Sequence, residues 1–251
     1  VPFFVCVTSA ARIAKIEHSL FGVRNPMIVR AILFWLALIS AASAQTPPST
    51  QELAAYSGLH AAAAKGDVAE IEKLARSGSR IDAQDSHSRT PLIVAVFQKQ
   101  PDAARALIRL GANPNALDDR QYDIVTIASV ANDVPMLKLA LENGGKATNI
   151  TSPYKGTALI AAAHLGHAEV VRMLIAAKAP LDHVNNFGWT ALIESIVLGN
   201  GGKNHTDTLD ALVKSGANLN LADRNGQTPL ALARQRGYSE MATILESAVA
   251  K

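Results

Sequence analysis

Apolar positions recur along residues 52–250 in two interleaved rhythms. Between Gly156 and Asn185, Leu159, Ala162 and Ala163 fall at helical spacing within Thr157 to Leu165, and Gly166 follows where a terminating glycine belongs. Val170, Val171, Leu174 and Ile175 then form one stripe of a second helix over Ala168 to Ala177. The pattern predicts two short antiparallel helices. The small alanines of the first let it approach its neighbours closely, while the larger aliphatics of the second fill an outer layer. The stretches "GANPNALDD" (111–119), "APLDHVNNFG" (179–188) and "GANLNLADRNG" (216–226) are rich in Gly, Asn and Asp, which is turn chemistry. They predict a tight hairpin between successive helix pairs.

The unit repeats. Leu59, Leu92, Val125, Leu159, Leu192 and Leu230 are equivalent, separated by 33, 33, 34, 33 and 38 residues. Gly78, Gly111, Gly144, Lys178 and Gly216 run in step with them. A unit of about 33 residues cannot bury its own apolar face and must stack on its neighbours. The expected fold is all-α, a solenoid of about six repeats at 54–84, 85–117, 118–150, 151–184, 185–222 and 223–250. Composition agrees: 49% of the chain is hydrophobic but only 5% aromatic, so the core is built from Ala, Leu, Ile and Val.

The motifs "LHAAAAKGD" (59–67), "TPLIVAV" (90–96), "TALIAAAHLGHAEVVRMLI" (157–175) and "NGQTPLALARQRGYSEMATIL" (225–245) resemble ankyrin repeats, whose signature is a 33-residue unit with T-P-L-H-x-A. The resemblance covers about residues 52–250. It implies a curved stack whose hairpin tips and inner helices line a concave, partner-binding face. The third unit departs from the pattern with "DIVTIAS", where Asp123 and Ile124 replace Thr-Pro, so an irregular helix start is expected there. The first has Ser57 and Gly58, as an N-terminal cap would. Exported bacterial ankyrin proteins with a similar glycine insertion in the next-to-last repeat also resemble this chain.

On this resemblance the hairpin tips carry His87, Arg89, Tyr122, Tyr154, Lys155, Phe187, Trp189 and Gln227. The partner-binding candidates are Arg89, Tyr122, Tyr154, Phe187, Trp189, Glu194 and Gln227. Trp189 leads them, because large aromatics dominate interface energetics when they fill a pocket. The structural alternative is that Phe187 and Trp189 pack sideways on the next hairpin. Along the inner helices the outward row is read as Ala61, Val94, Ile127, Ala161, Glu194 and Leu232. Such a mildly apolar stripe suits a protein segment better than a polyanion, and ordinary contact between repeats is its alternative reading. Glu194 is expected to stand outside that alternative, because a carboxylate is rarely buried without a partner.

Chemistry finds little support. His164 and His167 in "HLGH", with His183 and Glu169, hold the residue types of a zinc site, yet Gly166 breaks the helix that would present the pair on one face. A capping hydrogen bond accounts for His167. Thr90, Thr157, Thr190 and Thr228 recur because threonine hydroxyls cap helix starts, which is a structural role. In "GNGGKNH" (199–205) the P-loop pattern fails, since Val197 stands where the first glycine belongs and Asn204 follows Lys203. The longer interval locates about five extra residues there, read as a mobile turn before an outer helix starting near Thr206. On that reading Gly201 to His205 can be deleted without unfolding the stack.

Residues 27–44, "MIVRAILFWLALISAASA", have the basic start, short apolar run and small-residue end of a signal peptide, with cleavage expected after Ala44. The apolar run is shorter than the roughly 20 residues of a membrane span. Residues 1–26 read as upstream sequence from a start set too early, or as a weakly basic N-terminal helix; 45–51 read as a linker. Residues 1–44 hold four of the chain's 24 basic groups and one of its 21 acids, so the remainder has 20 of each and no net charge. Bulk charge therefore gives no case for nucleic-acid binding. The one cysteine, Cys6, also lies in the leader. A signal peptide without disulfides suggests a periplasmic product, the alternative being an inner-membrane anchor formed by an uncleaved leader. The expectation is a monomeric, non-catalytic, exported protein-interaction module that touches the membrane only through its signal peptide and needs no metal or cofactor. A ligand- or metal-binding protein, or an enzyme, using His164, His167 or the 199–205 loop on the same frame is the alternative.

Overall fold

A computed structural model describes residues 45–249. The leader, with its expected cleavage site and Cys6, lies outside the described residues. The described residues form one compact unit. A short helix α1 (Thr50–Ala55) precedes six inner helices, each followed by an outer one. The inner helices are α2 (Gly58–Lys65), α4 (Pro91–Phe97), α6 (Ile124–Val130), α8 (Ala158–Leu165), α10 (Ala191–Val197) and α12 (Pro229–Gln235). Their outer partners are α3 (Val68–Arg76), α5 (Pro101–Arg109), α7 (Val134–Glu142), α9 (Ala168–Ala176), α11 (Lys203–Lys214) and α13 (Ser239–Val249). Successive inner helices touch one another and so do successive outer helices, which makes two parallel layers. No helix of the described residues is long and apolar enough to cross a membrane.

The repeated leucine is the centre of each interface. Leu92, Val125, Leu159 and Leu192 are fully buried, each burial stabilising the stack by about 1.5–3 kcal/mol. The last of the series, Leu230, is only half-buried, since among the described residues no further repeat stacks on it. Alanines 62, 63, 162 and 163 are buried where neighbouring helices meet.

Helix starts follow a single rule. Thr90, Thr157, Thr190 and Thr228 each accept a hydrogen bond from the backbone N–H three residues on, at 3.3 Å. The third unit is regular, contrary to the expectation from "DIV": Asp123 caps α6 by accepting from Thr126 N at 2.8 Å. Aspartate is as good a cap as threonine, and Ile124 is tolerated where proline usually stands.

The glycine series reflects backbone conformation. Gly78, Gly111, Gly144 and Gly216 all have φ between +88° and +95°, and Lys178, their equivalent in the fourth repeat, is also left-handed at +65°. Glycine recurs because a side chain there is strained.

A face built from hairpins and inner helices

Each hairpin is made by one short polar side chain. Asp85, Asp118, Ser152, Asn185 and Asp223 accept hydrogen bonds from the backbone N–H groups two and four residues later. The residue three positions on (Ser88, Gln121, Lys155, Gly188 or Gly226) turns the chain with a positive φ. The hairpins are also tied in series: Asp119 N donates to His87 O, Ser152 N to Gln121 O, and Asn186 N to Tyr154 O. Apart from the isolated Thr151–Gly156 bridge, they are turns and not strands among the described residues.

This scaffold makes Arg89, Tyr122, Gly156, Trp189 and Gln227 equivalent, with different fates. Arg89, expected at an exposed tip, is buried. Its Nε donates to Asp85 Oδ2 at 2.7 Å, a terminal nitrogen donates to Glu52 Oε1, and the other reaches Thr46 O at 3.4 Å. Tyr56 donates its hydroxyl to Asp85 Oδ2 at 2.6 Å. Burial opposes ionisation of Asp85, but the bonds from Tyr56 and Arg89 outweigh it and hold the carboxyl below its usual range. Hydrogen bonds from Ser49, and Arg89 beside it, hold Glu52 down at about 2. Residues 45–51, expected as a linker, are thereby held to the first two repeats, with Ser49 and Glu52 forming a capping box. Tyr122 is also buried rather than projecting, and burial together with Asp118 raises its hydroxyl to about 12. Neither Arg89 nor Tyr122 presents its side chain to a partner of the free stack.

Tyr154, Phe187 and Trp189 do come together. The Tyr154 and Phe187 rings lie 4.9 Å apart, and Phe187 stacks on Trp189 at 5.4 Å. The rings lean on one another as the structural alternative had it, but Phe187 stays 37% exposed and Tyr154 and Trp189 are only half-buried, so the trio keeps a solvent face. Gln227 is exposed in the hairpin of the sixth repeat.

The row read as outward-pointing is mostly covered. Val94, Ile127, Glu194 and Leu232 are buried, and only Ala61 and Ala161 remain half-exposed, so contact between repeats accounts for it. Glu194, expected to stand outside, is inside. Its Oε1 accepts from Asn185 Nδ2 at 2.8 Å, while buried Oε2 has no hydrogen-bond partner and lies 3.6 Å from His164 Nδ1. Burial raises its carboxyl to about 7 against the weaker opposing effect of the Asn185 bond. Asn185 was missed in the sequence. The signal for it is the series Asp85, Asp118, Ser152, Asn185 and Asp223, in which one amide replaces an acid where a second carboxylate, Glu194, sits beside it.

The histidines are tied separately. His167 Nδ1 bonds Ser129 O at 3.0 Å, capping the end of the preceding inner helix rather than its own. His205 Nε2 does the same for His164 O at 2.9 Å. Among the described residues no three His, Cys, Asp or Glu side chains are placed to hold a metal.

Family models for ankyrin repeats match residues 29–118 and 125–202 (three copies) and 196–246 (many copies). The chain belongs to the ankyrin-repeat family. It is 32% identical over 188 residues to the ankyrin repeat protein YahD of Escherichia coli, covering 74% of this chain and 93% of that one. An ankyrin repeat domain from Acinetobacter baumannii superposes with a TM-score of 0.73 at 44% identity, over 76% of this chain and 97% of that one. The ankyrin repeat protein EF0377 gives 0.71 at 30% identity, over 76% and 98%.

The insertion in the fifth ankyrin repeat, expected to be a mobile turn, makes contacts with its neighbours at Gly199, Gly201 and His205. Helix α11 begins at Lys203, three residues before the expected start, and Lys203 pairs with Asp207 one turn later at 2.8 Å. His205 is buried. Tyr238 donates its hydroxyl to Gly199 O at 3.1 Å, and a Cβ on left-handed Gly201 would approach Tyr238 Cε1 to 2.6 Å. Excising Gly201 to His205 would remove the cap on His164 O, so the deletion is expected to lower the stability of the stack. Gly201→Ala is expected to destabilise the stack by about 2 kcal/mol, through left-handed strain and ring collision, measured by urea unfolding.

Proposed function

We propose that this ankyrin stack is a non-catalytic, exported module that binds a protein partner through the hairpin tips of its fourth and fifth repeats. Ankyrin repeats are generally protein–protein interaction modules. The observation that carries the reading is the stacked and partly exposed Tyr154–Phe187–Trp189 trio, since exposed aromatic clusters on a rigid frame are the usual anchors of interfaces. The remaining candidate at a tip, Gln227, adds a polar contact beyond the trio. The periplasm is proposed from the signal-like segment at 27–44 and from residues 45–251, which contain no cysteine.

A photoreactive phenylalanine analogue at Phe187, expressed in the source cells, is expected to give a discrete crosslinked partner. Trp189→Ala should weaken that complex by about tenfold or more. The same analogue at exposed Arg172 on α9 is the control, and an identical adduct pattern from both positions would overturn the reading. Fractionation that finds cytosolic protein retaining Met27 to Ala44 would overturn the compartment.

A further inference from the structure

Glu194 has no lysine or arginine partner among the described residues. Among the described residues the only basic group within ion-pair reach of its carboxylate is His164, 3.6 Å from Oε2 and 39% exposed, and no Lys or Arg of this stack comes within 4.0 Å. Oε2 is buried without a hydrogen-bond partner, an arrangement that native structures seldom keep without a reason. The other oxygen is bound to the aromatic tip. Oε1 takes Asn185 Nδ2, and Asn185 Oδ1 takes the backbone N–H groups of Phe187 at 2.9 Å and Trp189 at 3.1 Å. A lone acceptor and a stacked aromatic trio are thus joined through one side chain.

We propose that Glu194 and the Tyr154–Phe187–Trp189 trio form one recognition site for a cationic side chain, lysine or arginine, presented by the protein partner. The inference rests on the partner-binding reading above and deepens it. Aromatic faces attract a cation and accept the apolar stem of its side chain. Oε2 then supplies a charge-assisted hydrogen bond once the half-exposed His164 ring turns aside. Lys155 and Arg224, in the hairpins on either side of Phe187, do not take this role: neither is within ion-pair reach of Glu194, and Arg224 donates to Asn186 O.

The chain has two tryptophans, Trp35 and Trp189, so Trp35→Phe leaves Trp189 as the sole reporter in the full chain. Its fluorescence is titrated at fixed ionic strength with N-acetyl-arginine amide, the lysine analogue, and the neutral isostere N-acetyl-citrulline amide. Arginine is expected to bind about tenfold more tightly than citrulline, and Glu194→Gln to abolish that preference with helicity unchanged. Phe187→Ala should weaken all three. Equal binding of arginine and citrulline, or a preference surviving Glu194→Gln, overturns the proposal. If the crosslinked partner persists while this preference is absent, the inference fails and the partner reading stands; a preference without any partner at Phe187 has the opposite meaning.

Discussion

Replacing Arg89 by alanine is expected to cost the stack about 4 kcal/mol of unfolding free energy, because it leaves two carboxylates without their shared cation in a poorly hydrated place. Arg89 is 1% exposed and Asp85 9%, while Glu52 retains 29%. Glu52→Gln, which leaves Asp85 and Arg89 paired, should therefore cost much less. In a stack that interacts only between neighbours, the damage should be local. Amide exchange should quicken in residues 45–65 and 85–97 and stay unchanged in the sixth repeat, and protease should cut first within 45–56. The network also has a pH signature. Both carboxyls are held below their ordinary values, so the stability they contribute is complete above about pH 4.5 and is lost as pH falls toward 2. A uniform loss across all repeats, or no loss, would mean that Arg89 is not the clamp described.

The helices, their caps and the repeat boundaries were legible because each is set locally. The fourth repeat was read as Thr157 to Leu165 and Ala168 to Ala177; it folds as Ala158–Leu165 and Ala168–Ala176, with Thr157 as cap and left-handed Gly166 as terminator. Side-chain burial was not legible in the same way. Arg89, Tyr122 and Trp189 occupy one hairpin position, and what separates them is the neighbour that each repeat supplies. Glu52, 37 residues earlier, bonds Arg89 in its buried place, while Trp189 stays half-buried with Phe187 stacked on it. The inner-helix row failed for a similar reason: a position that faces outward on one helix is covered by the helix stacked beside it. The insertion is located by the repeat interval, but its contact with Tyr238, 39 residues away from Gly199, is not legible locally. Asp123 shows the reverse error, a local departure that the helix start absorbs without cost in geometry.

Glu194→Gln is expected to make the protein more stable at neutral and alkaline pH. The carboxyl titrates near 4.5 when unfolded and at about 7 in the folded stack, raised by burial. A raised carboxyl contributes stability that is complete below about pH 4.5 and is lost as pH rises through 7. The difference of roughly 2.5 pKa units corresponds to about 3 kcal/mol. Glutamine keeps an oxygen to accept from Asn185 Nδ2 and carries no charge, so its variant should match the parent near pH 4.5 and exceed it by up to about 3 kcal/mol at pH 8. Urea midpoints at several pH values test this, and parallel curves for the two proteins would mean the carboxylate is not strained by burial. The acid limb belongs to Glu52 and Asp85 and should be shared by both proteins, which separates the two effects on one pH axis. A gain in stability on removing the charge is what a functional carboxylate predicts. Burial of Glu194 weakens the free stack, and on the proposed reading that cost is offset when a partner supplies a lysine or arginine, neither of which lies within ion-pair reach of Glu194 among the described residues.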